Sequence, residues 1–446
     1  MYIRRLEIKN IRSISHFEMT FPEGREAGWH VLIGDNGSGK STIIRSLALA
    51  MLDVVDVNAA RQDWNDWLQS GQSEGSVDVL VIPDIKDSVV RNRIALATEI
   101  LVDDNDEVIL GHNEAVLQEI IFRNTPSYDV KYSDIHRTSY MNQPQAATKT
   151  RAWFSVAYGP FRRFTGGSQE KELLYKSNPN LGAHLSAFGE DVALTEALTY
   201  LSELYIRQIE AIVKQKTEAP TLDYLIQFIN QAELLPHGAR ISSIDPYGGV
   251  WFQNGNGVEV DATKLSDGYR SVLSMTFDII RNLIRSYGAD AVFKTVREGG
   301  KTIDLPGVVM IDEVDAHLHP TWQTRIGQWF TTHFPNLQFI VTTHSPLVCR
   351  AAEKGSIWRL AAPGSDQKSG EVTGLDRDRL IFGNVLDAYG TEVFGQDVER
   401  SEESKEKLQR LAHLSQLSSY GKISEEEKQE MQELRKILIT DDTTEF

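Results

Sequence analysis

Apolar and polar residues alternate at the start of the chain, and this pattern predicts a pair of antiparallel strands. The first strand covers Tyr2 to Lys9 and the second covers Phe17 to Phe21, with a turn near Asn10. A compact apolar run from His30 to Ile33 predicts a buried strand, and the residues from Thr42 to Ala48 predict the start of a helix. The chain therefore opens with paired strands that lead into a strand–loop–helix unit.

Short apolar runs continue along the chain and predict a β-rich lobe. They cover residues 77–82, 94–102 and 108–110. Residues 123–150 are polar and show no periodic pattern, so no element is predicted there. Trp153 to Tyr158 is apolar again and predicts one more buried strand.

The spacing of apolar residues changes to a helical period between about Glu190 and Ala232. This region is too short for a long coiled-coil arm, which needs many uninterrupted heptads. Residues 398–438 are highly charged and helical in pattern, and Ser424 followed by Glu427 matches a capping box. The sequence therefore predicts a short helical lobe and a helical hairpin near residue 446.

Composition restricts the kind of protein that the chain can be. Of its 446 residues 41% are hydrophobic, enough for a sizeable core. There is no apolar run of about 20 residues and no apolar signal-peptide core, so we expect no membrane span and a cytoplasmic location. Cys349 is the single cysteine, which excludes an internal disulfide and a cysteine-based zinc site. The net charge of −17 opposes nucleic-acid binding over the whole surface, although a local basic groove remains compatible with it.

Residues Gly34 to Ser41 form a complete phosphate-binding loop, G-x-x-x-x-G-K-S, between the predicted strand and helix. Backbone N–H groups of such a loop bind a polyphosphate at a helix N-terminus. Lys40 would reach the β and γ phosphates, and the Ser41 hydroxyl would ligate Mg²⁺. The sequence thus predicts a nucleoside triphosphate site with Mg²⁺, formed by Asn36, Gly37, Ser38, Gly39, Lys40, Ser41 and Thr42.

Two further apolar strands end in candidate catalytic residues. The run from Gly307 to Ile311 is followed by Asp312 and Glu313. Beside a phosphate loop, such an aspartate can hold the Mg²⁺ shell and the next glutamate can polarise the attacking water. The run from Gln338 to Thr343 is followed by His344, which in this order of elements is assigned to sensing the γ-phosphate, although a histidine at a strand end is more often structural.

Ser266 and Gly268 precede an apolar helix that begins near Ser271. A serine and a glycine at a helix N-terminus form a second anion-binding site. One chain has little use for two γ-phosphate sites, whereas two chains arranged head-to-tail could each use this site against the other's nucleotide. We therefore predict a homodimer around ATP, with larger oligomers left open.

These four elements, in this order, resemble the heads of ABC-type ATPases, and more specifically the RecF/SMC-like AAA branch rather than transporters. Residues 265–269 match the family's Leu-Ser-Gly-Gly-Gln/Glu signature at its first, second and fourth positions only. Asp312 and Glu313 match the Walker B pair, residues 314–320 resemble the Leu-His-Pro form of the D-loop, and His344 matches the switch histidine.

The resemblance implies an α/β fold, a P-loop NTPase of ABC/RecF-like type with an antiparallel β lobe. The family also has a Q-loop glutamine, for which Gln143, Gln145 and Gln169 are all candidates in this sequence. Arg162 and Arg163 could face phosphate or DNA, or could be an ordinary surface pair. The predicted parts are an N-terminal ATPase lobe (1–164), a helical lobe (165–262), a C-terminal ATPase lobe (263–395) and a helical hairpin (396–446).

The short helical lobe, the Tyr-Gly-Pro-x-Arg segment at 158–162 and the charged tail resemble bacterial defence ATPases of the Septu type, which also occur in retron systems. This resemblance implies an ATP-hydrolysing subunit of an anti-phage complex that controls a separate HNH-type nuclease. The reverse transcriptase and msDNA of a retron are further candidate partners. The chain would contact nucleic acid through the complex, and no membrane partner is expected. A RecF-like repair ATPase that binds DNA directly is the alternative, and a transporter subunit or an ATP-binding scaffold with little turnover fits less well.

Overall fold

A computed structural model describes residues 1–52, 56–57, 60, 66–82, 116–125, 132–139, 154–160, 177–189, 195–214, 220–235, 238–245, 249–365, 368–385, 388, 402–420 and 423–438. Its strands are β1 (Tyr2–Ile11), β2 (Ile14–Thr20), β3 (Gly28–Gly34), β4 (Glu74–Ile82), β5 (Val116–Thr125), β6 (Tyr132–Ser139), β7 (Ser155–Tyr158), β8 (Arg240–Asp245), β9 (Gly249–Gln253), β10 (Glu259–Asp261), β11 (Gly307–Ile311), β12 (Leu337–Thr343), β13 (Ser356–Leu360) and β14 (Gly370–Glu371).

The α-helices are α1 (Lys40–Ala50), α2 (Pro179–Phe188), α3 (Thr195–Val213), α4 (Thr221–Gln231), α5 (Asp267–Tyr287), α6 (Ala289–Val292), α7 (Lys294–Arg297), α8 (Pro320–His333), α9 (Gly374–Phe382), α10 (Glu402–Ser419) and α11 (Glu425–Ile437). Two 3₁₀ segments cover Ala262–Lys264 and Pro346–Lys354. Within the described part of the chain, no helix combines the length and apolar character needed to cross a membrane.

The larger sheet is mainly parallel, with strand order β14-β13-β3-β12-β11-β7. All neighbouring pairs from β13 to β7 are parallel, and β14 is antiparallel at the edge. The residues of β3, β11 and β12 are buried almost throughout, as expected for strands covered on both faces. Because parallel strands end at the same edge, the loops after β3, β11 and β12 meet there. This arrangement confirms the α/β fold class.

A second, antiparallel sheet has the order β2-β1-β4-β5-β6 and confirms the predicted β lobe. Its β1–β2 hairpin turns at Arg12 and Ser13, just beyond the predicted turn, with Ile11 opposite Ile14. Strand β6 lies in a stretch where the sequence predicted no element, because its backbone pairs with β5 over eight residue positions without needing an apolar pattern. The strands predicted at 94–102 and 108–110 lie outside the described residues.

Gln338 joins the two sheets. Its fully buried side chain extends from β12 to β1, where it accepts a hydrogen bond from the Ile3 N–H at 2.7 Å and donates one to the Ile3 carbonyl at 2.9 Å. Both backbone groups are thereby satisfied inside the core. The apolar faces of β1, β4 and α1 complete this core with Ile3, Leu6, Ile8, Val77, Val79, Ile43 and Leu47.

The helical lobe lies where the sequence predicted it. Helices α3 and α4 lie within the region from 190 to 232, and α3 packs on α5. Strands β8 to β10 form a small antiparallel sheet beside them. Helix α5, with 21 residues, is the longest in the described part of the chain, far below the length of a coiled-coil arm.

The chain divides into two compact units, residues 1–382 and 383–446. The second unit contains α10 and α11, and its core includes Leu414, Met431 and Leu434. The capping box is present, since Ser424 and Glu427 exchange side-chain-to-backbone hydrogen bonds of 2.9 and 3.2 Å. The helical hairpin is therefore confirmed, while the division into four parts stays a prediction.

His30 is buried in β3 as a neutral imidazole. Its Nε2 lies 2.8 Å from the carbonyl oxygen of Glu26 and must therefore carry the proton. Its Nδ1 then accepts a hydrogen bond from Ser356 Oγ at 2.8 Å. Burial lowers the pKa of His30 to about 4, because the charged form would lose its solvation.

We predict that His30 makes the protein less stable in weak acid. Between its unfolded pKa of 6.5 and its folded pKa of about 4, the unfolded chain binds a proton that the folded chain does not. The free energy of unfolding should therefore fall as the pH drops through this window, by about 3 kcal/mol in total. Urea unfolding at pH 7.5, 6 and 4.5 measures the slope. The slope should be smaller in His30→Asn than in the parent; equal slopes in parent and His30→Asn would contradict the prediction.

Candidate functional site

The loop between β3 and α1 has the backbone of a phosphate-binding loop. Gly39 caps α1 with φ 96° and ψ 11°, a left-handed conformation that favours glycine. A Cβ at Gly34 would lie 2.8 Å from both the Leu360 carbonyl oxygen and Ser38 Oγ, so only glycine fits there. The glycines of the motif are thus explained by local geometry.

Lys40 lies at the start of α1 and is almost completely buried. Its Nζ donates hydrogen bonds to the carbonyl oxygens of Gly34 at 2.7 Å and Asp35 at 2.9 Å. Burial lowers the pKa of Lys40, and the negative charges of Asp312 and Glu313 are the next largest influences and oppose that shift. The structure therefore brings Lys40 together with the carboxylate pair that the sequence placed after β11.

The remaining loop residues present polar groups suited to phosphate. Asn36 and Gly37 are exposed, Ser41 is half-buried and Thr42 is buried in the first turn of α1. The Ser38 hydroxyl is buried with no hydrogen-bond partner in the loop. A buried hydroxyl without a partner is costly unless a ligand supplies one, and a phosphate oxygen would do so. The donor set thus fits a triphosphate with Mg²⁺.

Asp312 and Glu313 follow β11 in different environments. Asp312 is 3% exposed, and its N–H donates to the Tyr158 carbonyl oxygen at 2.8 Å. Glu313 is half-buried and has φ 47°, a left-handed conformation that is uncommon outside glycine. The chain therefore turns sharply out of the strand at Glu313.

The end of β12 contributes two threonines that sequence reasoning missed. Thr342 Oγ1 contacts both Asp312 and Glu313, at 2.6 and 2.7 Å. Thr343 Oγ1 donates to Asp315 Oδ1 at 2.6 Å. The position of both threonines directly before His344 was the available signal. His344 itself is exposed at the end of β12.

Ser266 and Gly268 lie at the N-terminus of α5. Ser266 is exposed and its side chain makes no capping hydrogen bond with its own helix. Gly268 packs on the turn after Glu313, since a Cβ there would lie 2.7 Å from the His317 carbonyl oxygen. The His317 backbone is left-handed, with φ 63°. The signature segment and the D-loop therefore pack against each other within one chain.

A buried polar network anchors α5 to β7, and it was not predicted from the sequence. Tyr158 donates its hydroxyl to Asp278 Oδ2 at 2.9 Å, and Arg281 donates to Asp278 Oδ1 at 2.8 Å. Burial, followed by the Asp278 charge, raises the pKa of Tyr158 well above its usual value. The candidate residues Gln143, Gln145, Gln169, Arg162 and Arg163 lie outside the described residues.

The parallel sheet, the phosphate loop and the carboxylates beside Lys40 define a P-loop NTPase fold. A family model described as "AAA ATPase domain" matches residues 1–156, and one described as "AAA domain, putative AbiEii toxin, Type IV TA system" matches residues 161–350. Together with the relatives described next, these matches show that the chain is similar to AAA ATPases of the Septu and retron type.

Two relatives match most of this chain. The "Septu protein PtuA" of Bacillus mycoides (strain KBAB4) is 25% identical over 363 residues, which are 80% of this chain and 40% of the relative. The "Retron Vc95 probable ATPase" of Vibrio cholerae serotype O1 biovar El Tor is 24% identical over 379 residues, covering 78% of this chain and 71% of the relative. The chain therefore spans less than half the length of the first relative. Among solved structures, the SMC head domain from Thermotoga maritima is 12% identical with a TM-score of 0.41, covering 84% of this chain and 99% of that one.

We predict that Gly34→Ala disturbs the phosphate loop. The added methyl group would lie too close to Ser38 Oγ and the Leu360 carbonyl oxygen, which should lower the free energy of unfolding by about 1 to 3 kcal/mol. Urea unfolding measures this loss. Gly370→Ala is the matched control, because nothing lies within 4 Å of a Cβ at that position. Equal stability of the two variants would show that Gly34 is not sterically required.

Proposed function

We propose that the chain is the ATP-binding and ATP-hydrolysing subunit of a bacterial anti-phage defence complex. The observation that carries the proposal is the burial of Lys40 beside Asp312 and Glu313, at the edge of a parallel sheet. This arrangement joins a phosphate-binding group, a metal-binding carboxylate and a candidate base in one site. The similarity to Septu and retron ATPases supports the defence context.

Each group of residues has its own role in the proposed hydrolysis. The loop from Asn36 to Thr42 binds the triphosphate, and phosphate oxygens replace the two carbonyl oxygens that Lys40 Nζ now contacts. Ser41 and Asp312 hold Mg²⁺, whose charge offsets that of the phosphates. Glu313 activates the attacking water as general base, and His344 contacts the γ-phosphate.

A second copy of the chain completes the site. Ser266 and Gly268 lie at the N-terminus of a 21-residue helix, where N–H groups and the helix dipole favour an anion. The exposed Ser266 hydroxyl makes no cap bond and is free to meet the γ-phosphate of a facing copy. ATP binding would then control assembly of a head-to-tail homodimer, on which larger oligomers can build.

The nuclease activity of the complex belongs to a separate protein. We propose an HNH-type nuclease as the partner that the ATP-driven dimer controls, together with a reverse transcriptase and its msDNA if the system is a retron. Any contact with nucleic acid would be made through that complex. The net charge of −17 agrees with this division, because direct DNA binding requires a basic surface.

We predict that Glu313→Gln binds ATP but hardly hydrolyses it. Loss of the general base should slow turnover by about 100-fold or more, while the phosphate loop remains intact. Phosphate release measures turnover, and light scattering after size-exclusion chromatography should show ATP-bound dimers. Glu353→Gln, on an exposed part of the segment Pro346–Lys354, is the matched control and should behave as the parent.

Two outcomes distinguish the proposed ATPase activity from the proposed dimer. Turnover at the parental rate in Glu313→Gln would remove Glu313 from its role. Slow turnover without ATP-dependent dimers would retain the ATPase and reject the ATP-sandwiched dimer. Lys40→Ala should neither bind ATP nor dimerise, because its charge is the main phosphate-binding group of the loop.

We predict that the chain co-purifies with an HNH nuclease encoded beside its own gene. Tagged protein expressed together with its neighbouring genes should retain the nuclease after washing, and size-exclusion chromatography should show one complex. If no nuclease is retained and the isolated chain binds DNA in an ATP-dependent, salt-sensitive way, the RecF-like alternative is the better description.

A further inference from the structure

The hydroxyl of Thr342 connects the two carboxylate residues that follow β11. It lies 2.7 Å from the Glu313 nitrogen and 2.6 Å from Asp312 Oδ1. The Glu313 N–H can only donate, so the hydroxyl oxygen accepts that bond. The single hydroxyl proton is then available for the carboxylate of Asp312. Thr342 therefore accepts from one candidate catalytic residue and donates to the other.

Burial makes this connection strong. Thr342 is fully buried and Asp312 is 3% exposed, so water cannot compete for either bond. A hydroxyl that donates to an ionised carboxylate forms a short, charge-assisted hydrogen bond. Inside a protein such a bond is also costly to lose, because a buried carboxylate cannot replace it with a bond to water. One orientation of Asp312 is thereby strongly favoured.

The same residue also fixes the turn at Glu313. A left-handed conformation at a residue other than glycine costs about 1 to 3 kcal/mol and persists only where its surroundings hold it. Thr342 holds the turn from two sides, since its hydroxyl accepts the Glu313 N–H and its carbonyl oxygen accepts the Val314 N–H at 2.9 Å. The direction in which Glu313 leaves the strand thus depends on one residue of β12.

The neighbouring Thr343 bonds to other residues. Thr343 Oγ1 donates to Asp315 Oδ1 at 2.6 Å and accepts the Ser345 N–H at 2.9 Å. It acts on the D-loop and on the start of the next segment. The two threonines therefore bond to different acidic residues, Thr342 to Asp312 and Thr343 to Asp315.

We propose that Thr342 is a positioning residue that sets the Asp312 carboxylate and the Glu313 backbone together for ATP hydrolysis. The inference rests on the proposed ATPase function and adds a residue through which the metal-binding and water-activating groups are held in register. Thr342 would act through these two residues, which would hold the metal and activate the water.

The test compares Thr342→Val, which keeps the shape and removes the hydroxyl, with Thr342→Ser, which keeps the hydroxyl. Thr276→Val is the matched control, because Thr276 is also fully buried but its hydroxyl bonds to the Val272 carbonyl oxygen within α5. Three quantities are measured: kcat, the Kd for ATP, and deuterium exchange of the Glu313 amide in nucleotide-free protein.

In Thr342→Val we expect kcat to fall about 10- to 100-fold, as for other residues that orient a metal ligand. The Kd for ATP should change by less than about threefold, because the phosphate loop is untouched. The Glu313 amide should exchange at least about tenfold faster once its acceptor is gone. Thr342→Ser and Thr276→Val should remain close to the parent in all three.

The possible results distinguish this inference from the proposed function. If the parent does not hydrolyse ATP, the proposed function fails, and Thr342 is judged on amide exchange alone: unchanged exchange in Thr342→Val overturns it. If the parent is active, parental kcat in Thr342→Val overturns it. A parallel loss of ATP binding, kcat and thermal stability, not rescued by Thr342→Ser, would mean a merely structural residue and would also overturn it.

Discussion

The site depends on the position of β12 between β3 and β11 in the parallel sheet. Each of these strands pairs with β12 in register, so that Ile311 lies opposite Val341 and Ile33 opposite Thr343. Parallel pairing brings the ends of all three strands to one edge. The phosphate loop, the carboxylate pair and His344 are distant in sequence but share that edge for this reason.

Strand β12 also supplies the polar side chains that organise its surroundings. At its start, Gln338 bonds both backbone groups of Ile3 and joins the parallel sheet to the antiparallel one. At its end, Thr342 and Thr343 bond to the acidic residues after β11. Each of these buried polar groups has a partner, which gives the centre of the sheet a defined arrangement as well as an apolar core.

The helix that begins with the signature segment is tied to the same sheet. The buried Asp278 of α5 receives the hydroxyl of Tyr158, at the end of β7. At the N-terminus of α5, Gly268 packs on the backbone of His317 in the turn after Glu313. The N-terminus of α5 and the turn after Glu313 are therefore in direct contact.

The sequence by itself determined the strand–loop–helix unit, the Asp312–Glu313 pair and the helical hairpin, because each has a local signal in glycine spacing, apolar periodicity or capping. It did not reveal β6, which is held by backbone pairing, nor the tasks of Gln338 and Thr342. Such residues act on partners that are distant in sequence, and a lone glutamine or threonine in an apolar strand looks the same whatever it contacts. Only the tertiary structure decided those contacts, because strand order and register choose which side chains meet.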